Sequence, residues 1–310
     1  METFLAYDLG GTKVATGIVN KRGQLLYIER NPVDPSKGPT TLLNQLTEIG
    51  LPLLKRFPKT RRVGFASAGP LDAVKGVLLD PTNFFANGKS WGRLPLTAPL
   101  SRKLGRPVFL ENDAAAAALA EKWQGSARRT KNFALLTLGT GLGTGFFVND
   151  ALVRSRGELH PEGGHLILRA GDRSAPCGCG NFGCAESYLS GVNFAKRFSR
   201  AVHKQMDAKE ITKLAKAGDS AANQAFSEYA EMFALFLHNI AVLFAPERII
   251  LTGSFASASA LFVPRARKLL AEHLSRRRDG ADLVPKISLS TLKNSAGVIG
   301  AAHVAMHRTM

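Results

Sequence analysis

Two stretches of the chain carry the same succession of apolar and turn-forming positions. FLAYDLGGTKVATGIVNKRGQLL, from Phe4, and FALLTLGTGLGTGFFVNDALV, from Phe133, each run through an apolar segment and a glycine-rich turn. A second segment ending in Val-Asn, a polar turn and a third apolar segment follow in both. The segments are short and rich in β-branched and aromatic residues, which predicts strands on both sides of each glycine turn. A strand after the glycines excludes a Walker-type loop or a dinucleotide fingerprint, whose glycines lead into a helix. Glycine there admits positive φ and lets the backbone approach a ligand. Two matched copies, with Thr12, Lys13 and Thr140 beside the glycines, predict a duplicated fold whose halves hold one phosphorylated ligand. For either copy alone, a ligand-free β-hairpin is the competing explanation.

Elsewhere the pattern alternates. RRVGFASAGPLD reads as strand then turn, and PVFLEND as a strand; AAAAALAEKW after it is a strong helix closed by Gly125. Helices follow through the alanine-rich middle, then the strand ERIILTG, another helix, the strand KISLSTL, and a last helix from Ser295 with small residues on one face. The order predicts an α/β chain. FALFLHNIAVLF, residues 233–244, is broken by His238 and Asn239 and falls short of the roughly 20 apolar residues of a membrane span, so it predicts a buried helix. Neither a linker nor a low-complexity tract divides the chain. The repeat sets a boundary near Ala114: an N-terminal lobe of residues 1–114, with helix 295–310 packing back on it, and a C-terminal lobe of residues 115–294.

Composition adds little to the fold and more to the partners. The 310 residues suffice for about two cores. The N-terminus METFLAYDLG has no secretory pattern, so a cytoplasmic protein is expected. The net charge is +17, from 41 Lys and Arg against 24 Asp and Glu. Its clusters (Lys55-Arg56, Arg61-Arg62, Arg128-Arg129, and residues 276–278) are scattered, and no aromatic-rich module accompanies them. A solvated basic surface is favoured over a nucleic-acid or polyphosphate partner.

All three cysteines fall in CGCGNFGC, at 177, 179 and 184. In a reducing compartment such a cluster suggests metal or redox chemistry more than disulfides. Three thiolates need a fourth donor to complete a tetrahedral site. His160 and His165 both lie just upstream, and the glycines at 178, 180 and 183 suit a loop that wraps sulfurs around an ion. Three reduced structural cysteines, or a reactive pair, are the alternatives.

The motifs DLGGTK, END, LGTGLGTG, EGGH, CGCGNFGCAES and LTGS, in that order along nearly the whole chain, resemble the ROK family of bacterial sugar kinases and sugar-responsive repressors. The resemblance implies a duplicated actin-like ATPase (ribonuclease H-like) fold of two lobes with a central cleft for ATP and a hexose. Repressors of the family carry a DNA-binding segment ahead of DLGGTK, and here that motif begins at Asp8, which favours a kinase. By the same resemblance His165, not His160, joins Cys177, Cys179 and Cys184 on a structural Zn²⁺.

Site residues follow the same route. The Asp of the family's END motif is its catalytic base, which here is Asp113; without the resemblance, Asp113 reads equally well as the N-cap of the polyalanine helix. Asn83, Asn112, Asp113, Glu162, His165 and Glu186 would hold the sugar. Asp8 would orient Mg²⁺, with Gly10, Gly11, Thr12 and Lys13 bordering the phosphates of ATP from one side. Thr140, Gly141 and Gly143 would approach with their N–H groups from the other, and Gly253 would let the adenosine lie flat against the chain. Departures from the family pattern are Ala114-Ala115-Ala116 for A-N-A, Gly163 in EGGH for an isoleucine, and Ala185 for a leucine. They bear on sugar preference and not on reaction class.

The expected activity is an ATP-dependent hexose kinase forming hexose 6-phosphate, glucose leading. N-acetylhexosamine or fructose kinases, a sugar sensor without turnover, and a polyphosphate donor are the alternatives; Ala115 or Gly163 would give an N-acetyl group room. Members of the family are usually dimers or tetramers, so a homo-oligomer is expected.

Overall fold

In strand β1 (Thr3–Leu9) successive side chains enter different cores, as the two-residue period of a strand requires. Leu5, Tyr7 and Leu9 join one apolar cluster, and Phe4 and Ala6 join another on the opposite face. This sandwiching is why TFLAYDL is apolar at nearly every position until its end. The computed structural model describes residues 1–81, 84–86, 89–275 and 283–308. Asn83 and the basic cluster at 276–278 lie outside the described residues.

After β1 come β2 (Lys13–Asn20), β3 (Leu25–Pro32), helix α1 (Gly38–Arg56) and β4 (Thr60–Ser67). Short strands follow: β5 (Leu71–Asp72), β6 (Val77–Leu79), β7 (Phe85–Ala86), β8 (Lys89–Ser90) and β9 (Arg93–Pro95). Helix α2 (Thr97–Leu104), β10 (Val108–Asn112) and helix α3 (Asp113–Trp123) complete this stretch. Its main sheet has the order β10-β4-β1-β2-β3, with β1 antiparallel to β2 and parallel to β4.

The second half begins with β11 (Phe133–Leu138), β12 (Leu142–Val148) and β13 (Ala151–Leu152). Five helices follow: α4 (Ala185–Leu189), α5 (Gly191–Ala201), α6 (Ala208–Lys216), α7 (Ser220–Phe244) and, beyond β14 (Arg248–Thr252), α8 (Val263–Leu274). Strand β15 (Lys286–Leu289) and helix α9 (Ala296–His307) end the chain. The second sheet runs β13-β12-β11-β14-β15, with β11 antiparallel to β12 and parallel to β14. Position for position, it repeats the strand order of the first.

Two compact units result, one of Met1–Arg129, Leu152–Pro161 and Asn294–Met310, the other of Thr130–Ala151 and Glu162–Lys293. In the first, α9 packs against α3 and β4 at backbone distance. A Cβ on Gly300 would overlap the Ala116 carbonyl, and one on Gly64 the Ala301 carbonyl. That approach explains the alanines of α3: larger side chains would hold the two helices apart. In the second unit Phe194, Phe226, Tyr229, Phe255 and Phe262 form one aromatic core joining α5, α7 and the turn after β14, with ring centroids 4.6–6.2 Å apart. Residues 233–244 belong to α7, and among the described residues no helix is long and apolar enough to cross a membrane.

Candidate functional site

In the first unit β1, β4 and β10 are parallel neighbours, so their C-terminal ends meet at one sheet edge. Asp8 pairs with Ala66, and Asn112 with Ser67. The edge therefore gathers Asp8, Asn112 and Asp113. Desolvation, and next the charge of Asp113, push the Asp8 carboxyl up to about 7, against the opposing pull of Lys13 and Arg30. A carboxyl whose ionisation is opposed by burial and by a neighbouring carboxylate makes a seat for a cation or a proton. Helix α9 begins against this seat: a Cβ on Gly297 would overlap the Asp8 carboxylate.

The cap of α3 is not Asp113, the residue that the competing reading of the sequence made the cap. Asn112 occupies the N-cap, its Oδ1 accepting from the N–H groups of Ala114 and Ala115 at 2.9 and 3.0 Å. Asp113 is the first helical residue; its Oδ1 accepts from Ala114 N at 2.8 Å, and it stays partly accessible while Asn112 is buried. The acid thus lies at the positive end of α3 without serving as its cap, because Asn112 already meets the free donors.

Ahead of it, buried Glu111 is held by Arg154, whose Nη1 donates to Oε1 at 3.1 Å and Nη2 to Oε2. Arg308 stands 3.8 Å from the same carboxylate, and Glu111 Oε1 also accepts from Asn112 N. Nothing in the local spacing pointed to this anchor. Its partners lie 43 and about 200 positions away, and only their basic character hinted at a carboxylate. Gly297 was foreshadowed only as one of the small residues of the last helix.

The first glycine turn is open. Gly10 N donates to Lys13 O at 2.9 Å, and Thr12 and Lys13 are exposed. Contrary to the conformational expectation, none of Gly10, Gly11, Gly139, Gly141 or Gly143 adopts left-handed φ. Of these, Gly141 is one where a Cβ would meet a close neighbour, the Glu186 carboxylate, while Gly139 faces open space.

In the second unit the turn between β11 and β12 is clamped. Glu186 Oε2 accepts from Leu142 N at 2.8 Å, and a Cβ on Gly141 would strike that oxygen. Gly143 N donates to Thr137 Oγ1 at 2.9 Å, so that N–H is already engaged instead of aimed at a ligand. Thr140 is exposed and, with Gly139, lines a cavity of 780 Å³. Helix α5, the start of α6 around Asp207 and the turn at Ser254–Phe255 form its other walls. The contribution of residues 205–213 was missed; the one signal there, the D-x-x-E capping box of Asp207 and Glu210, announces a helix start and no ligand. Gly253 has φ +93°, and a Cβ there would meet the backbone of Leu138. Its glycine thus serves the packing of the β14 turn on β11.

Beside this turn lies the cysteine loop. The ligand atoms of His165, Cys177, Cys179 and Cys184 all lie within 4.8 Å of one another, and His160 is not among them. Cys177 Sγ is 3.5 Å from His165 Nδ1, and Cys179 Sγ is 3.8 Å from Cys184 Sγ. Metal–sulfur bonds of about 2.3 Å and metal–nitrogen bonds of about 2.0 Å give tetrahedral edges of about 3.8 and 3.5 Å, so the four residues fit a closed tetrahedral ion. Burial pushes the Cys184 thiol up to about 12, a cost that a bound cation offsets. Of the three loop glycines, Gly180 and Gly183 are left-handed, and a Cβ on Gly183 would overlap the Arg169 carbonyl; Gly178 has no such constraint.

The loop connects to the turn through Glu186, whose Oε1 is 3.9 Å from Cys177 Sγ. Glu162 precedes the short helical turn Gly163–His165 and is exposed. Gly163 is not loose: its N–H donates to Thr144 Oγ1 at 2.9 Å, and Thr144 stands where a side chain would go. Ala115 is likewise buried, so neither residue opens space for an N-acetyl group.

Residues 4–308 match the model of the ROK family. The N-acetyl-D-glucosamine kinase of Escherichia coli is 30% identical over 307 residues, which cover 96% of this chain and 98% of that protein. Among solved structures, a ROK hexokinase from Thermus thermophilus aligns with a TM-score of 0.84 at 29% identity, over 98% of each chain. A ROK family glucokinase from Streptomyces griseus, solved with glucose and AMPPNP, gives 0.78 at 26% identity, over 99% of this chain and 100% of that one. The pair of like-ordered sheets is that of the actin-like ATPase fold.

Proposed function

The chain belongs to the ROK family, and from that premise we propose that it is a sugar kinase moving the terminal phosphoryl group of ATP to a hexose hydroxyl. The observation that supports the proposal is that Asp8 on β1 and Asp113 after β10 stand at the same end of the sheet, on either side of β4, and that Asp113 is near enough to push the Asp8 carboxyl up. Asp113 accepts the proton of the sugar hydroxyl as that oxygen bonds to the γ-phosphorus and the bond to ADP breaks. Phosphoryl transfer depends chiefly on alignment and charge stabilisation, so an ordinary carboxylate is a sufficient base. Mg²⁺, oriented by Asp8, would supply charge neutralisation at the phosphate oxygens.

Asn112 spends its Oδ1 on the cap and keeps its Nδ2 for the sugar. His165 turns Nδ1 to Cys177, which leaves Nε2 for a hydroxyl, and Glu162 and Glu186 accept from others. Asn83 is assigned to the sugar by family likeness alone. Gly10, Gly11, Thr12 and Lys13 border the phosphates, as do Thr140 and Gly141, and the 780 Å³ cavity has the size of a nucleoside pocket. Zn²⁺ on His165, Cys177, Cys179 and Cys184 would be structural, since all four positions are filled by protein.

Glucose, phosphorylated at its 6-hydroxyl, is the leading substrate, supported by likeness to the Thermus thermophilus and Streptomyces griseus enzymes. N-acetylglucosamine is the second, supported by the 30% identity to the Escherichia coli kinase. ADP release with MgATP and a panel of glucose, mannose, fructose and the N-acetylhexosamines tests both. Glucose turnover at the highest kcat/KM is expected; turnover of none of them overturns the kinase assignment.

A further inference from the structure

Helix α5 borders three cavities, one of which, of 610 Å³, is lined by Arg197 and Arg200 together with Glu228 of α7. Val192, Ala195 and Lys196 border the one of 780 Å³. Asn193, Arg197 and Arg200 border a third of 310 Å³, with Lys196 on the seam, and residues 174–178 and Ser187 close it. Among the described residues no Asp or Glu lines this third cavity, although three cations do. None of the three forms an ion pair among the described residues.

Arg197 is the half-buried member. Its guanidinium lies 4.9 Å from the Tyr188 ring centroid, and the Tyr188 hydroxyl donates to Asp172 Oδ2 at 2.5 Å. Burial, with the charge of Arg169 added to it, disfavours the Arg197 charge more than Tyr188, Glu228 and Asp172 together restore it. Three like charges around one small concavity repel each other, and a doubly charged tetrahedral oxyanion is the ligand that relieves all three. Guanidinium groups match its geometry in pairs.

We propose that this cavity is a binding site for a phosphate group, free or carried on a small metabolite. The site shares Lys196 with the larger cavity and Cys177 with the cysteine loop, and it is wired to the groups assigned to sugar and nucleotide. Asn193 Nδ2 donates to the Glu186 carbonyl at 3.1 Å, and Gly191 N donates to the Gly139 carbonyl at 2.8 Å. An anion that orders α5 therefore acts on the clamp of the second glycine turn and on a wall of the larger cavity, so the two occupancies are thermodynamically linked.

The binding assignment stands without the kinase assignment; only the choice of a sugar phosphate as probe rests on it. Thermal unfolding is followed with inorganic phosphate, glucose 6-phosphate or tripolyphosphate, each against chloride at equal ionic strength and with adenosine present. The expected result is a midpoint that rises by about 2 °C for each tenfold excess over the dissociation constant. The anion acting at the lowest concentration identifies the source as free phosphate, phosphorylated sugar or a phosphate chain. Arg197→Gln and Arg200→Ala should each remove most of the rise. Arg200 is exposed, so its variant should unfold at the wild-type midpoint in chloride and keeps the test readable if Arg197→Gln does not fold. No rise beyond chloride with any of the three anions overturns the proposal, as does a rise that Arg200→Ala and a folded Arg197→Gln both retain. Because the readout is binding, a chain that phosphorylates none of the sugars leaves it intact.

Discussion

The two glycine turns began as near copies and are held in opposite ways. The turn at Gly10–Gly11 is backed by charge, with Asp8 ahead of it under the influence of Asp113, and is held among the described residues by backbone bonds alone, Gly10 N to Lys13 O and Val33 N to Thr12 O. The turn at Gly139–Gly143 is backed by contacts: Glu186 takes the Leu142 N–H, Thr137 takes the Gly143 N–H, and the cysteine loop stands behind Glu186. One scaffold, used twice, thus provides an open turn over a carboxylate pair and a clamped turn beside a cavity.

The largest effect should come from the charged side. Asp113→Asn is expected to lower kcat by about 10²–10⁴ while leaving sugar affinity near wild type, since it removes a base and keeps the shape. Steady-state kinetics with a sugar-binding titration read this; an unchanged kcat would falsify the assignment of the base. Next is the clamp. Stripping the metal, or Cys184→Ser, should remove about one equivalent of zinc by elemental analysis and lower the unfolding midpoint by ten degrees or so, as structural zinc sites contribute directly to folding. A midpoint indifferent to chelator would show the loop holds without an ion.

A matched pair of substitutions tests the contrast itself. Gly141→Ala drives a methyl into Glu186 and should raise the KM for ATP roughly tenfold, about 1.4 kcal/mol of lost binding. Gly10→Ala meets only the Lys13 carbonyl, at 3.5 Å, and should cost little stability. Equal losses at the two sites would erase the distinction between open and clamped turns.

The smallest effect concerns stability. The Asp8 carboxyl titrates at about 7 in the folded chain, against about 3.9 unfolded. The folded state therefore keeps the proton longer, and the contribution of Asp8 to stability falls as pH rises from about 4 to 7 and stays low above that. Asp8→Asn should accordingly raise the metal-free unfolding midpoint at pH 8 by roughly 2–4 °C and leave it unchanged at pH 4, even though it impairs turnover. A gain of the same size at both pH values would mean the carboxylate carries no such cost.

How far the site could be read from sequence varied with the distance of the partners. The strand–turn–strand repeats and the C-x-C-x4-C loop are local patterns, and both stand in the structure as strands around glycine turns and as a Cys3His cluster. The helix start at Asn112–Asp113 was legible, but not which residue caps it, because both side chains are good caps and only packing assigns their directions. Gly163 read as room for an N-acetyl group and proved a close fit against Thr144, since the neighbour that fills its space sits on another element.

What the order of residues determined by itself was every feature set within a few positions: the period-2 strands, the breaks between them, and a thiol spacing that fits one ion. Contacts among distant segments were decided by the fold alone, because a spacing says nothing about which carboxylate will be buried or what will come to neutralise it. Glu111 meets Arg154 and Arg308, Asp8 is pressed by Gly297, and Arg197 joins Lys196 and Arg200 around one cavity only once the helices have docked on their sheets.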